Sequence, residues 1–210
     1  IEDNYSIRQF ERDALAKIEA LHKNNNVVVM VGGSGMYIDA VCKGLDDFPP
    51  VPDSIREELN LRHQNEGLDA LKEELMKLDP DYHELVDSSN PHRIIRAIEV
   101  CMVSGKPFSS FRKQQAKKRN FKTLKIILNR EREELYHRIN KRVDKMMTEG
   151  LLEEVKKLYD YKACNALQTV GYKELFAYFN GEWDLETAIE EIKKNTRRYA
   201  KRQMTWFRRD

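Results

Sequence analysis

The spacing of apolar positions predicts a mostly helical chain. Residues 10–22 place Phe10, Ala14, Ile18 and Leu21 at helical spacing. The same criterion predicts helices at 36–42, 55–61 and 68–78, a long helix from about 135 to 158 bent at Gly150, and a final helix at 187–207. A further helix is expected to start with Asn90 as its N-cap and Pro91 as its first residue, and to end near Gly105.

Two short segments predict β-strands. Residues 27–31 read Val-Val-Val-Met-Val, and residues 123–128 form the second segment. A fully apolar strand is typical of burial on both faces, as in a parallel sheet. The sequence therefore predicts an α/β fold, mostly helical overall, with a partial parallel-sheet core. Two strands are few for such a sheet, so we expect further core strands outside these 210 residues.

The composition argues against a disordered chain and against a membrane protein. The chain is 40% hydrophobic and 34% charged, which is typical of a globular protein. Its longest apolar run is strand-sized, and no signal-peptide pattern opens the sequence. Cys42, Cys101 and Cys164 are far apart and fit reduced thiols in a cytoplasmic protein. None lies at zinc-ligand spacing from a histidine, so no metal site is predicted.

The net charge of +2 conceals a separation of sign. No acidic residue lies between Glu99 and Glu131, and none between Lys193 and Arg209, with acid returning at Asp210. The first of these runs contains Lys106, Arg112, Lys113, Lys117, Lys118, Arg119, Lys122, Lys125 and Arg130. One such run is typical of a solvated face, but two in one chain favour a polyanionic partner such as a nucleic acid.

A glycine-rich turn follows the first predicted strand. Gly32-Gly33-Ser34-Gly35 has the shape of an anion-binding turn, but it lacks the lysine of a phosphate loop. Two interpretations stay open from the residues alone. The glycines could form a tight structural turn, or the turn could hold the Ser34 hydroxyl at the sheet edge where ligands of α/β folds bind.

Two helices carry basic residues that could contact phosphates. In the final helix, Ile192, Thr196, Tyr199, Gln203 and Trp206 are expected to face inward, and Lys194, Arg197, Arg198, Lys201 and Arg202 to form a phosphate grip. The helix that starts at Pro91 carries His92, Arg93 and Arg96 in its first turns. These arginines could pair with nearby acids, Asp87 or Glu99, or contact RNA, and both options stay open.

Several segments together resemble the bacterial tRNA dimethylallyltransferases, also called tRNA isopentenyltransferases. The resemblance is collinear over essentially the whole chain and rests on the segments 31–37 (VGGSGMY), 91–100 (PHRIIRAIEV), 104–107 (SGKP), 150–155 (GLLEEV), 170–174 (VGYKE) and 196–207 (TRRYAKRQMTWF). The last segment is the most specific of them.

The resemblance implies a fold and a reaction. It implies a P-loop-type α/β core at residues 1–49 and 119–210, with a helical insertion domain at 50–118 that holds the tRNA anticodon stem-loop. The family transfers a dimethylallyl group from dimethylallyl diphosphate, with Mg²⁺, to the exocyclic amine of the adenosine adjacent to the anticodon. That base must leave its stack before it can react. A cytoplasmic monomer is expected.

The resemblance also implies site residues. Ser34 stands where the family has threonine and is expected to act at the target adenosine. Arg130 and Arg198 are candidates for the diphosphate. The candidate tRNA contacts are Arg56, His92, Arg93, Ile94, Ile95, Arg96, Gln168, Thr169, Val170, Gly171, Tyr172, Lys173, Lys201, Arg202, Gln203, Thr205, Trp206 and Arg208.

One departure from the family pattern concerns catalysis. The family's Gly-Lys-Thr phosphate loop and its general-base aspartate do not occur in this sequence, and we expect both upstream of Ile1. The chain alone is therefore predicted to bind tRNA without transferring the prenyl group. Two alternatives are an adenylate dimethylallyltransferase that acts on free nucleotide and a non-catalytic RNA-binding module.

Overall fold

The computed structural model describes residues 1–3, 5–112 and 115–209, and Lys113 of the first basic run and Asp210 lie outside this part. The described chain is mostly helical. Its α-helices are α1 (Ile7–His22), α2 (Gly35–Cys42), α3 (Asp53–Leu78), α4 (Pro80–Leu85), α5 (Pro91–Ser104), α6 (Arg132–Thr148), α7 (Leu151–Lys157), α8 (Tyr172–Phe179) and α9 (Leu185–Phe207). Short 3₁₀ helices span Phe108–Phe111, Tyr159–Tyr161 and Asn165–Leu167. The helices expected from periodicity are confirmed.

The chain divides into two compact units. The first unit comprises Ile1–Cys42 and Arg119–Asp210, and the second unit comprises Lys43–Lys118. The second unit begins seven residues before the expected insertion at residue 50 and ends at the same position. That this unit holds an anticodon stem-loop stays a prediction.

The core of the first unit lies where α6, α7, α8 and α9 pack together. Val155 and Leu175 are fully buried there, and Ile192 is the buried anchor of α9. Gly150 has a φ of 103° between α6 and α7. This left-handed conformation suits glycine and places the expected bend at this residue.

The core of the second unit is formed mainly by α3 and α5. The Asn90 side chain accepts a hydrogen bond from the backbone N–H of Arg93, and Gly105 closes α5 with a φ of 64°. Both ends of α5 therefore match the sequence prediction. Gly67, with a φ of 83°, kinks α3 between the two helical stretches that were expected separately.

The predicted parallel sheet is absent from the described residues. Neither 27–31 nor 123–128 forms a strand, and their side chains are largely exposed: Val27 by 77%, Val31 by 89%, Leu124 by 85% and Leu128 by 92%. A strand needs a neighbouring strand to satisfy its backbone N–H and C=O groups. These two segments do not pair with each other, so apolar sequence alone did not produce a sheet.

The inward face of α9 differs from the prediction at one position. Tyr199 is 42% exposed, whereas Ala200 is buried. Ile192, Thr196, Ala200 and Gln203 follow one another at steps of four and three residues and form the stripe that faces the first unit. The small alanine lets the helix approach its neighbours closely, and the tyrosine is displaced to the edge of the stripe.

Candidate nucleic-acid interface

The glycine turn at residues 32–35 is held directly by α9. The Gln203 side chain donates a hydrogen bond from Nε2 to the carbonyl oxygen of Gly33 over 2.7 Å. Trp206 Nε1 donates to Asp39 Oδ2 over 3.0 Å, and Lys125 Nζ lies 3.2 Å from the other oxygen of that carboxylate. Two side chains of α9 therefore fix the glycine turn and α2 against the C-terminal half of α9. Lys125 adds a second contact to the same carboxylate of α2.

Two of the glycines lie where a Cβ atom would overlap side chains of α9. A Cβ atom at Gly33 would lie 2.0 Å from Gln203 Nε2, and one at Gly35 would lie 2.3 Å from Trp206 Cδ1. At Gly32 a Cβ would meet nothing within 4 Å. The structure thus gives the turn a packing role, one of the two interpretations that the sequence left open.

Ser34 keeps its side chain available within this turn. Its carbonyl oxygen accepts a hydrogen bond from the N–H of Ile38, as expected of a residue that precedes a helix. Its half-buried hydroxyl forms no hydrogen bond with the residues that the structure describes. A ligand at the turn could therefore use that hydroxyl without first breaking a contact inside the protein.

The basic residues of α9 divide into a paired half and a free half. Lys193 lies 2.8 Å from Asp144, Lys194 lies 2.6 Å from Glu191, and Arg197 donates to Asn140 over 2.7 Å. The exposed residues toward the C-terminus form what we call the α9 stripe: Arg198, Lys201, Arg202, Thr205 and Arg208. They share one helix face at spacings of three and four residues.

Within the α9 stripe the cations have no acidic partner among the described residues. Arg198 Nη1 donates to the neutral Asn195 over 3.1 Å. Lys201, Arg202 and Arg208 are exposed. This face is therefore a concentrated positive surface, and it belongs to the same helix segment that holds the glycine turn.

Most described basic residues of the first run contact other residues of the protein. Arg119 is the clearest case, because its guanidinium donates to the carbonyl oxygens of Ala40 and Val41 over 2.8 and 2.9 Å, and to Glu11 over 2.5 Å. Arg119 thereby provides hydrogen-bond donors for two carbonyl groups at the C-terminal end of α2. Similar contacts join Lys117 to Asp47, Lys125 to Asp39, Arg130 to Glu134, and Arg112 to the ring of Tyr82.

These internal contacts reduce the support that the first basic run gives to a polyanionic partner, which stays a prediction. The acids that neutralise Lys117, Arg119 and Lys125 lie 70 to 108 positions earlier in the chain. Sequence proximity could not reveal those pairs. Lys106, Lys118 and Lys122 are exposed and remain candidates for a nucleic-acid contact.

A buried glutamate links the 168–173 segment to the α9 stripe. Glu174 is 4% exposed and accepts hydrogen bonds from the Gly171 N–H and from Asn195 Nδ2, both over 2.8 Å. Asn195 in turn accepts from Arg198. Sequence reasoning missed Glu174, whose only signal is its position three residues after a glycine.

The members of the 168–173 segment differ in their exposure. Gln168, Thr169 and Lys173 are exposed, Val170 is half-buried, and Gly171 is buried with a φ of 100°. The Tyr172 hydroxyl donates to Glu154, and this hydrogen bond raises the pKa of Tyr172. The segment thus exposes three polar side chains, and its backbone is held by the hydrogen bond from the Gly171 N–H to Glu174.

The basic residues of α5 and α3 meet at one acid in the second unit. Glu99 is fully buried and binds both Arg56 and Arg96. His92 and Arg93 are exposed in the first turn of α5. The pairing of Arg96 with Glu99, one of the two options left open by the sequence, is therefore present.

Ile94 and Ile95 do not belong to the exposed surface. They are 0% and 5% exposed and lie in the core of the second unit. Their expected role as direct tRNA contacts is not supported by this placement, because helical periodicity turns them away from His92 and Arg93. They anchor α5 and thereby position the polar residues beside them.

The described residues suggest neither a metal centre nor a membrane span. No group of three or more His, Cys, Asp or Glu side chains among them could hold a metal ion. The described part of the chain likewise contains no helix long and apolar enough to cross a bilayer. The Mg²⁺ that the resemblance implies therefore finds no ligand set here.

Comparison with known proteins gives the class of the molecule. The family model described as IPP transferase matches residues 1–210, and the chain belongs to this family. It is 56% identical over 210 residues to a tRNA dimethylallyltransferase of Christiangramia forsetii, covering 100% of this chain and 70% of that protein. It is 52% identical over 208 residues to tRNA dimethylallyltransferase 1 of Phocaeicola vulgatus, covering 99% and 69%.

Solved structures agree with this assignment. The full-length tRNA isopentenylpyrophosphate transferase of Bacillus halodurans matches with a TM-score of 0.63 and 37% identity, over 100% of this chain and 66% of that one. A eukaryotic dimethylallyltransferase acting on tRNA matches with a TM-score of 0.75 and 28% identity, over 97% and 53%. The chain therefore spans about two thirds of the length of the bacterial proteins and about half of the eukaryotic one.

Proposed function

We propose that this chain is the tRNA-binding portion of a tRNA dimethylallyltransferase. The complete enzyme moves a dimethylallyl group from its diphosphate to the exocyclic amine of the adenosine adjacent to the anticodon. The family membership and the names of the relatives support the reaction. Binding of the anticodon stem-loop by residues of this chain is the part of the proposal that the exposed α9 stripe supports.

One observation carries the binding proposal. The same stretch of α9 holds the glycine turn through Gln203 and exposes the cations of the α9 stripe. A polyanion that lies along the stripe would therefore reach the neighbourhood of Ser34. Arginine and lysine contacts to phosphates supply most of the affinity in such complexes.

The role proposed for Ser34 follows from its free hydroxyl. An extruded adenine needs hydrogen-bonding partners to offset the loss of stacking, a cost of a few kcal/mol. The hydroxyl can hold the base while its amine attacks the first carbon of the dimethylallyl group and the bond from that carbon to diphosphate breaks. The proton that the amine loses would pass to the general-base aspartate that the resemblance implies, which is not among these 210 residues. Arg198 and Arg130 are the proposed partners of the leaving diphosphate. Arg130 would first have to release Glu134.

The exposed segments 27–31 and 123–128 bear on the predicted parallel sheet. We propose that residues 27–31 and 123–128 become strands of a parallel, P-loop-type sheet when they pair with strands outside the 210 residues. The high exposure of Val31 and Leu128 supports this, because burying them would be favourable. A Mg²⁺ requirement stays a prediction from the resemblance, and its ligands are not among the described residues.

The test of this function is a binding titration of the chain with an anticodon stem-loop RNA. Fluorescence anisotropy is measured at several salt concentrations. With roughly six phosphate contacts, affinity should fall about a thousandfold between 50 and 200 mM salt. A flat salt response, or no binding at low salt, would contradict the proposal.

The free-nucleotide alternative makes a different prediction for the substrate. An enzyme that acts on AMP needs no extended positive surface, so prenyl transfer to AMP should exceed transfer to tRNA in a protein that includes the phosphate loop. The names of the relatives favour tRNA. The third alternative, a non-catalytic RNA-binding module, predicts binding without prenylated adenosine in that longer protein.

A further inference from the structure

A buried carboxylate lies beneath two exposed arginines in the second unit. Glu99 has a side-chain exposure of 0% and accepts hydrogen bonds through both oxygens. Arg56 donates to it from Nε over 2.6 Å and from Nη2 over 2.8 Å. Arg96 donates from Nη1 over 3.1 Å. One acid on α5 therefore fixes an arginine of α3 and another arginine of its own helix.

Both arginines keep hydrogen-bond donors for a ligand. A guanidinium has five N–H groups in a planar fork, and the contacts with Glu99 use only two of those on Arg56 and one on Arg96. The side chain of Arg56 is 54% exposed and that of Arg96 is 36% exposed. Arg96 also lies over the ring of Phe48, 5.7 Å from its centroid, which restricts it further.

Stability alone is a weak reason for this arrangement. Desolvating a carboxylate costs several kcal/mol, and apolar residues of similar volume often replace buried ion pairs without loss. The arrangement does supply two guanidinium groups whose orientation is set before any ligand arrives. It sits beside His92 and Arg93, both exposed, with Asp53 near Arg56 and Asp87 near Arg93 as the surrounding acids.

We propose that Glu99 is a positioning residue that holds Arg56 and Arg96 as a rigid pair of forks for a phosphate of the bound RNA. The inference rests on the proposed function, since it assumes that the RNA reaches the second unit. Glu99 itself touches no ligand. Its contribution is to remove the cost of ordering two long side chains at the moment of binding.

A substitution at Glu99 separates positioning from simple charge because the two effects have opposite signs. Glu99→Gln removes a negative charge, so a purely electrostatic role would strengthen RNA binding. Positioning predicts that affinity falls about tenfold and that the salt slope decreases by about one contact. The matched control is Glu74→Gln, which removes a carboxylate that binds Arg62 over 2.6 Å in the same unit and should leave binding unchanged.

A second variant covers the case in which Glu99→Gln unfolds the second unit, as seen by circular dichroism. Arg56→Lys keeps the positive charge at a largely exposed position but cannot form the two-pronged contact. We expect about a tenfold loss of affinity, while Arg62→Lys behaves like the parent chain.

Three results would overturn the inference or what it rests on. A folded Glu99→Gln variant that binds RNA as tightly as the parent chain, or more tightly, contradicts the positioning role. Full affinity in Arg56→Lys does the same. A parent chain that binds no stem-loop RNA instead contradicts the proposed function, and the inference with it. The parent titration therefore distinguishes the two failures.

Discussion

At the scale of single residues, the glycine turn combines a packing role with the chemical role proposed for Ser34. Gly33 and Gly35 admit side chains of α9, and Ser34 between them keeps a free hydroxyl. Substitutions at neighbouring positions should therefore have separable effects, on stability at the glycines and on reaction rate at the serine.

Gly35→Ala should destabilise the first unit by about 1–3 kcal/mol, because the new methyl group overlaps the Trp206 ring and forces it to move. Urea unfolding followed by circular dichroism measures the change. Gly32→Ala is the control, since a Cβ there meets nothing within 4 Å. Equal stability of the two variants would show that α9 does not pack on the turn as described.

Ser34→Ala should slow prenyl transfer and leave RNA affinity nearly unchanged. The reason is that a hydrogen bond to the extruded adenine acts at the reacting base, whereas affinity comes from phosphates. The rate is measured by single turnover in the chain joined to a phosphate-loop segment of a relative. Ser34→Thr, which restores a hydroxyl, should retain the parent rate. An unchanged rate in the alanine variant would remove Ser34 from the reaction.

At the scale of elements, α9 packs one face against the first unit and exposes another, which is the proposed RNA-binding face. Lys193 and Lys194 pair with acids of the first unit, and the cations from Arg198 onward have no acidic partner among the described residues. The Lys-Arg dipeptide at 201–202 has a counterpart at 141–142 in α6, which is also exposed. The chain thus contains its own control for the binding face.

Replacing both Lys201 and Arg202 by Ala should weaken binding of all tRNA anticodon stem-loops to a similar extent and reduce the salt slope by about two contacts. Phosphate contacts carry no sequence information, which is why the loss should be uniform. Replacing Lys141 and Arg142 instead should have a smaller effect. Equal losses from both double variants would mean that only net charge matters.

Acid should destabilise the second unit partly through Glu99. Burial opposes ionisation of this carboxyl, but its contacts with Arg56 and Arg96 outweigh burial and hold the pKa of Glu99 below its usual value. The stabilisation is therefore complete above the unfolded pKa of about 4.5 and is lost as pH falls through the lower folded value. Urea unfolding between pH 7 and pH 3 should show a shallower decline for Glu99→Gln than for the parent chain.

At the scale of the whole molecule, the 210 residues contain the proposed binding surfaces but no Gly-Lys-Thr phosphate loop. Nowhere in the 210 residues does Gly-Lys-Thr follow a strand-like segment. The chain alone, given tRNA and dimethylallyl diphosphate, should therefore form no prenylated adenosine, as measured by mass spectrometry of digested tRNA. Joining it to a relative's phosphate-loop segment should restore transfer. Activity of the chain alone would contradict this division of labour.

The sequence by itself determined the described α-helices other than α4 and α8, the caps of α5, the bend at Gly150 and the family. These depend on local spacing and on short motifs, which are complete within a few turns of chain. The residue-level partners were decided only by tertiary structure. Arg119 donates a hydrogen bond to Glu11, which lies 108 positions away in the sequence, and Arg56 donates to Glu99, which lies 43 positions away.

The two predicted strands illustrate the same difference between what local sequence determines and what tertiary structure decides. Residues 27–31 carry a strand-forming sequence, yet they lie exposed without a strand partner among the described residues. A sheet is a non-local structure, because each strand's hydrogen bonds belong equally to its neighbour. Local sequence can therefore predict that a segment suits a strand, and only the presence of its neighbours decides whether one forms.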